Sequence, residues 1–246
     1  MKTFILKIEQ DSDPMNPRTE FDNCGKMVCF HKRYTLGDKH DLNADDFDDW
    51  GEMAEHLKTE YQAAVILPLY LYDHGGISMS TGSFSCPWDS GQVGFIYMDR
   101  ETILREAPGN PKILTKKAKQ WATKYLGAEV EDYDHYLTGE VYGFIVEDED
   151  GEQLDSCWGF FGYDYCKVEG KQSLDYYIGQ AKIDAKKELH ETNKEALTLI
   201  RQFKLEQSKK ILKRSYCEEV KQKISNLWEA RRDALETIYQ LEGEVS

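Results

Sequence analysis

Apolar and polar positions change period several times along this chain. Thr3 to Ile8 alternates and predicts a strand. A turn-rich DSDPMNP loop follows, and Lys26 to His31 (KMVCFH) reads as a second strand. The spacing then turns helical. Asn43 or Asp45 can cap a helix on which Phe47, Trp50, Ala54 and Leu57 share a face. Asp46, Asp48 and Asp49 then fall in its first turn, where the helix dipole favours negative charge. Gln62 to Tyr72 is an apolar run of strand length, and Pro68 in its middle marks an edge strand or a bulge. Gly75-Gly76 is a turn, Ile77 to Thr81 a short return strand, and Gln92 to Met98 the next strand. Asp99 or Thr102 caps a short helix, Thr102 to Glu106. Thr115 to Leu137 is a longer helix with Ala118, Trp121, Ala122 and Tyr125 on one face. Gly139 to Val146 and Gln153 to Phe161 are strands joined by DEDGE, whose Asp150-Gly151 pair is a strong hairpin signal.

From Ala181 to Glu242 there is neither Gly nor Pro. Leu174, Ile178, Ala181, Ala185, Leu189, Ala196, Leu199 and Phe203 form a stripe at 3-4 spacing. Cys217, Val220, Ile224, Leu227, Ala234, Ile238 and Leu241 continue it, with Arg231 at one stripe position. Two shapes fit. One is a single helix of ~60 residues, roughly 90 Å long, which would pair with a second copy through residues 174–241. The other is a helical hairpin that breaks near Lys213 to Tyr216. The hairpin is preferred, because Ser215 and Glu218 form an S-x-x-E capping box in the polar gap.

No regular strand–helix alternation and no GxGxxG occur. The fold class read from the chain is therefore α+β. It has a mostly antiparallel sheet with inserted helices, followed by a long, coiled-coil-like C-terminal helix or hairpin. The expected domains are an acidic α+β domain over 1–168 and a helical tail over 169–246.

Charge sharpens this division. Residues 166–246 carry 16 Lys and Arg against 14 Asp and Glu, while residues 1–165 carry 15 against 31. The front part thus holds −16 and the tail +2. Such a front part repels phosphate backbones, so direct nucleic-acid binding is not expected. It suits a basic partner, or simply solubility. The longest apolar run, Val65 to Leu71, is far short of a membrane span, and the N-terminus lacks signal-peptide character. A cytoplasmic protein is expected. The six cysteines show no CxxC spacing and read as reduced thiols. Cys24, Cys29 and His31 match no zinc motif, so neither metal nor cofactor is expected.

Residues 65–99 concentrate turn residues and reactive side chains. Asp73 and His74 end a strand. Cys86, Trp88, Asp89 and Ser90 lie in the following insert. Cys86 and His74 could pair as thiolate and imidazolium with Asp89 orienting the ring. The plainer reading is a cysteine buried under Trp88 in a turn closed by Asp89 and Ser90. No spacing here belongs to a catalytic motif. His31, Lys32, Arg33 and Tyr34 form a basic cluster that can grip a carboxylate or phosphate, or pair with nearby acids. The acidic run Asp41, Asp45, Asp46, Asp48 and Asp49 lacks the Gly and Glu positions of a calcium loop. It reads as a solvated helix start or as a patch that imitates a phosphate track. Trp158, Phe160, Phe161, Tyr163 and Tyr165 suggest a strand and aromatic turn, or a stacking platform.

The run LPLYLYDHGGISMSTGSFSCPWDSGQVGFIY (Leu67 to Tyr97) resembles a family of uncharacterised proteins carried by bacterial phages and mobile elements. MVCFHKRYTLGD (Met27 to Asp38), YDHYLTGEVYGF (Tyr133 to Phe144) and LDSCWGFFGYD (Leu154 to Asp164) extend the resemblance over roughly residues 20–165. It supplies no activity and no catalytic residues. It implies an accessory protein of the kind phages use against their hosts, working in the bacterial cytoplasm. The function expected is non-enzymatic. The acidic domain would dock on a basic surface of a host protein in competition with nucleic acid, using Asp41, Asp45, Asp46, Asp48, Asp49 and Trp88. The alternative is hydrolysis or sequestration of a nucleotide-like ligand by Asp73, His74, Cys86 and Asp89.

Overall fold

The computed structural model describes residues 3–208 and 214–243. The chain divides into two compact units. One comprises Glu9–Gly143 with Trp158–Cys166, the other Met1–Ile8 with Phe144–Cys157 and Lys167–Ser246. The anticipated boundary at 168 falls beside the Cys166–Lys167 division, and the helical unit also takes in the two earlier segments.

The first unit is built on a four-stranded antiparallel sheet of order β2-β5-β3-β4, from β2 (Lys26–Cys29), β3 (Ala63–Asp73), β4 (Ile77–Ser80) and β5 (Ser90–Asp99). Alternate residues of its strands enter different cores. Met27, Cys29, Ile96 and Met98 pack with Leu69, Ile103, Leu126 and Val130. Val28, Phe95 and Tyr97 pack with Met53, Leu57 and Ala63. Both faces are covered, by α4 (Lys116–Thr138) and α2 (Trp50–Glu60) respectively. That is why the strands read as continuous apolar runs. Gly94 allows β2 and β5 to close, since a Cβ there would lie 1.9 Å from the Val28 carbonyl oxygen. Pro68 pairs with Phe95 on one side. β4 pairs with β3 only from Tyr70 onward, so β3 is locally an edge at the proline. A register shift follows at Leu69/Tyr70.

The helices depart from the sequence expectation in their starts. Asn43 caps only a 3-10 turn, Ala44–Asp46. The helix itself starts at Trp50, because Asp49 caps it and Glu52 ties back the residue before the cap: Asp49 Oδ1 accepts from Glu52 N (2.9 Å) and Glu52 Oε2 from Asp48 N (2.7 Å). Phe47, Trp50, Ala54 and Leu57 do share one core. Asp99, not Thr102, caps α3 (Arg100–Glu106). On α4 the buried face is Ala118, Ala122, Leu126, Val130 and Tyr133, whereas Tyr125 is exposed. A four-residue helix, α1 (Pro17–Glu20), precedes β2.

A second sheet has the order β1-β6-β7, from β1 (Phe4–Gln10), β6 (Val141–Asp148) and β7 (Gln153–Phe161). The DEDGE turn between β6 and β7 is closed by Gly151 N donating to Asp148 O (3.0 Å). The tail forms two helices, α5 (Tyr163–Ser208) and α6 (Arg214–Gly243). They pack on each other as a hairpin. Ile178 and Ala181 meet Leu241, with Phe4 and Leu174 beside them. Arg231 Nε donates to Asn193 Oδ1 (3.2 Å). Ile178, Ala181, Ala185, Val220, Ala234 and Leu241, all stripe positions, are buried. The second copy that a single long helix would require is not needed. Lys213 lies outside the described residues, as does the Ser215 side chain, and the backbone from Arg214 is already helical.

Candidate functional site

Most of the chemistry-bearing side chains singled out in the sequence gather at one end of the four-stranded sheet. The register explains why. Cys29 ends β2 opposite Gly94, and Ser90 begins β5 opposite Tyr72. The loop that starts at residue 30, the turn between β3 and β4 and the approach to Ser90 therefore lie at the same end, while the chain leaves β4 toward residue 81 at the other end of that short strand.

The first of these loops is anchored by a buried ion network. Arg18 donates through Nε and Nη2 to the two oxygens of Asp38 (2.9 and 2.8 Å), through Nη1 to Glu129 (2.8 Å), and to the Gly25 carbonyl (2.9 Å). Burial works against its charge, but the bonds and charges of Asp38 and Glu129 outweigh it and raise the guanidinium above its ordinary pKa. Glu129 also accepts from Cys24 N and Gly25 N, and Asp38 from Met27 N. Tyr133 accepts from Gly37 N, whose positive φ of 70° suits glycine. Helix α4 thereby fixes the loop on the end of the sheet.

That loop walls a groove of about 1010 Å³. Phe30, His31, Lys32, Arg33, Tyr34, Lys39, His40 and Trp50 contribute to its lining, with Asp38 and Asp45. His31 Nδ1 accepts from the backbone N–H of Arg33 and Tyr34, so its proton sits on Nε2, which lies 3.9 Å from Asp73. Arg33 pairs with the same Asp73 carboxylate and lies over the Tyr34 ring, which also stacks on His31. The basic cluster thus both pairs with an acid and lines the groove. His40 donates through Nε2 to the Cys29 carbonyl (3.0 Å), and its buried Nδ1 has no hydrogen-bond partner among the described residues. The sequence reading had not joined Lys39, His40 and Trp50 to this cluster. They lie beyond a turn and carry no shared spacing.

The insert residues come together differently from a thiol–imidazole pair. Cys86 Sγ donates to Asp89 Oδ2 (3.4 Å), and His74 Nδ1 lies 3.5 Å from the same oxygen. Asp89 thus lies between the two, accepting from Cys86 and close to the His74 ring, and among the described residues no Cys86–His74 hydrogen bond exists. Asp73 N donates to Asp89 O (2.8 Å) and Ser90 Oγ to Cys86 O (2.6 Å), which close the turn. Trp88 does not cover Cys86: it is 92% exposed. Phe84 instead packs on Tyr72.

Asp41, Asp45, Asp46, Asp48 and Asp49 are all exposed, and none forms an ion pair among the described residues. In the aromatic segment after β6, Phe21–Phe161, Tyr142–Tyr163 and Phe160–Tyr165 meet edge to face. Among the described residues no group of three or more His, Cys, Asp or Glu is arranged to hold a metal ion, and no helix is long and apolar enough to cross a membrane.

Comparisons with protein-family models, with curated proteins and with solved structures found no match to this chain.

Proposed function

We propose that this protein works by binding, with the acidic end of its α+β unit docking on a basic surface of another protein. The observation that carries the reading is the run of five exposed carboxylates from Asp41 to Asp49, none of them in an ion pair among the described residues. Acids without internal partners give up no ion pair when a cationic surface arrives, so the full Coulomb gain is available to the complex. Trp88, at the tip of a loop from the same end of the sheet, supplies the aromatic anchor that interfaces favour. The competitor displaced from such a partner is nucleic acid, whose charge track the acids imitate. The resemblance to phage and mobile-element proteins makes a host defence or nucleic-acid-handling protein the target class.

The test is affinity purification from bacterial lysate with the full chain, beside Asp45→Lys/Asp46→Lys/Asp48→Lys and Trp88→Ala. A specific protein retained by the parent at low salt, released by added salt and lost with both variants supports the reading. Equal retention by the charge-reversed protein, or no partner at low salt, overturns it.

A further inference from the structure

The groove reverses the charge of the unit around it. Its lining carries Lys32, Arg33 and Lys39 against Asp38 and Asp45. Asp38 is committed, since Arg18 takes both its oxygens and Met27 N takes one as well. Arg33 is committed to Asp73. Lys32 and Lys39 are exposed and form no ion pair among the described residues. Two free ammonium groups therefore face one free carboxylate, Asp45, in a chain whose net charge is −14. Asp41 and Asp46 adjoin the lining residues His40 and Asp45, so the attraction for an anion is a short-range one exerted by Lys32 and Lys39 themselves.

Aromatic rings form part of the remaining wall. Phe30 meets His40 edge-on with centroids 4.9 Å apart and lies 6.4 Å from Trp50. Tyr34 adds a partly exposed ring. His40 Nδ1 is buried and has no hydrogen-bond partner among the described residues. The volume is at the upper end of the ~300–1,000 Å³ usual for small-molecule sites. Rings and cations in one groove describe a planar ligand that carries negative charge.

We propose that this groove binds a nucleoside monophosphate, with the phosphate drawn to Lys32 and Lys39 and the base lying against Phe30, His40 and Trp50. The site differs from the 73–90 turn, where a nucleotide-like ligand was expected from sequence. It shares only Asp45 with the docking reading, and its own test turns on Lys32 and Lys39, which that reading does not use.

The experiment is calorimetric titration of the full chain with AMP, CMP, GMP and UMP at low salt, with adenosine and inorganic phosphate as controls. At least one monophosphate binds, and adenosine and phosphate each bind at least about tenfold more weakly than it. Lys32→Glu/Lys39→Glu lowers the nucleotide affinity at least about tenfold without changing the melting temperature of the free protein. Lys32→Gln/Lys39→Gln gives a smaller loss in the same direction and serves if the charge reversal disturbs folding. Absence of binding by all four at millimolar concentration overturns the proposal. So does unchanged affinity in the lysine variants, or phosphate binding as tightly as the nucleotide.

Discussion

Arg231 and Asn193 meet across the helical hairpin, the guanidinium Nε donating to the amide oxygen at 3.2 Å. Arg231 occupies a seam position that the surrounding pattern gives to apolar side chains, and its guanidinium also lies 5.2 Å from the Trp228 ring centroid. A single polar pair in an apolar seam fixes register, because any slip leaves both groups unmatched. A double-mutant cycle with Arg231→Ala and Asn193→Ala is expected to return a coupling of about 0.5–1.5 kcal/mol in urea unfolding. Additive losses would show that the pair contributes nothing specific.

Arg18 is expected to be the costliest charged residue to remove. Arg18→Met leaves Glu129, only 9% exposed, as an uncompensated anion and frees both oxygens of Asp38. The loss should be about 3–5 kcal/mol by urea unfolding. Adding Glu129→Gln should recover part of it by removing the stranded charge. A loss below about 1 kcal/mol for Arg18→Met would refute the anchoring role given to this network.

Gly94→Ala should separate β2 from β5. Its Cβ would overlap the Val28 carbonyl, a backbone atom that has no rotamer by which to yield. A cost of about 1–3 kcal/mol or more is expected. Gly91→Ala, in the same strand with open space around it, should stay within about 0.5 kcal/mol. Thermal melts of the two variants side by side decide the matter.

Alkaline pH should weaken the fold through two buried groups. Burial, with a smaller contribution from Asp38, pushes the Cys29 thiol from 9.0 up to about 12. Burial, with Tyr61 and Asp99 adding to it, pushes the Tyr97 hydroxyl from 10.0 to about 12. In both cases the folded chain holds its proton to higher pH than the unfolded chain. Their contribution is therefore complete below about pH 9 and is lost as pH rises toward 12, at up to about 1.4 kcal/mol per pH unit for each proton. Cys29→Ala should flatten the lower part of this decline in pH-dependent urea unfolding. A profile unchanged by that substitution would rule out the thiol as its cause.

The sheet and the tail were legible because their signals are local. Continuous apolar runs betrayed strands covered on both faces, and the 3-4 stripe gave the facing surfaces of the hairpin, including the misfit of Arg231. Helix α2 was placed too early because Asn43 is a good cap in isolation. Asp49, six residues later, makes a better one, helped by the bond from Asp48 N to Glu52. The Arg18–Asp38–Glu129 network left no trace in the sequence. Its members are 20 and 111 residues from Arg18 and share no period. The groove was half visible. His31 to Tyr34 stood out as a basic cluster, but joining it to His40 and Trp50 takes the fold of the intervening loop. Cys86, His74 and Asp89 were rightly suspected of proximity. Their order of contact, with the carboxylate between thiol and ring, depends on turn geometry that composition does not specify.

Pro68 has a bearing on colonies of this molecule as well as on its own sheet. Alongside residues 63–69 the ladder stops short of a further neighbour, and Lys58, Arg100 and Lys119 flank that stretch. A foreign strand arriving there meets a residue with no amide hydrogen to share and a row of cations to desolvate. The open flank of the sheet is thus guarded against the edge-to-edge stacking that starts fibrils.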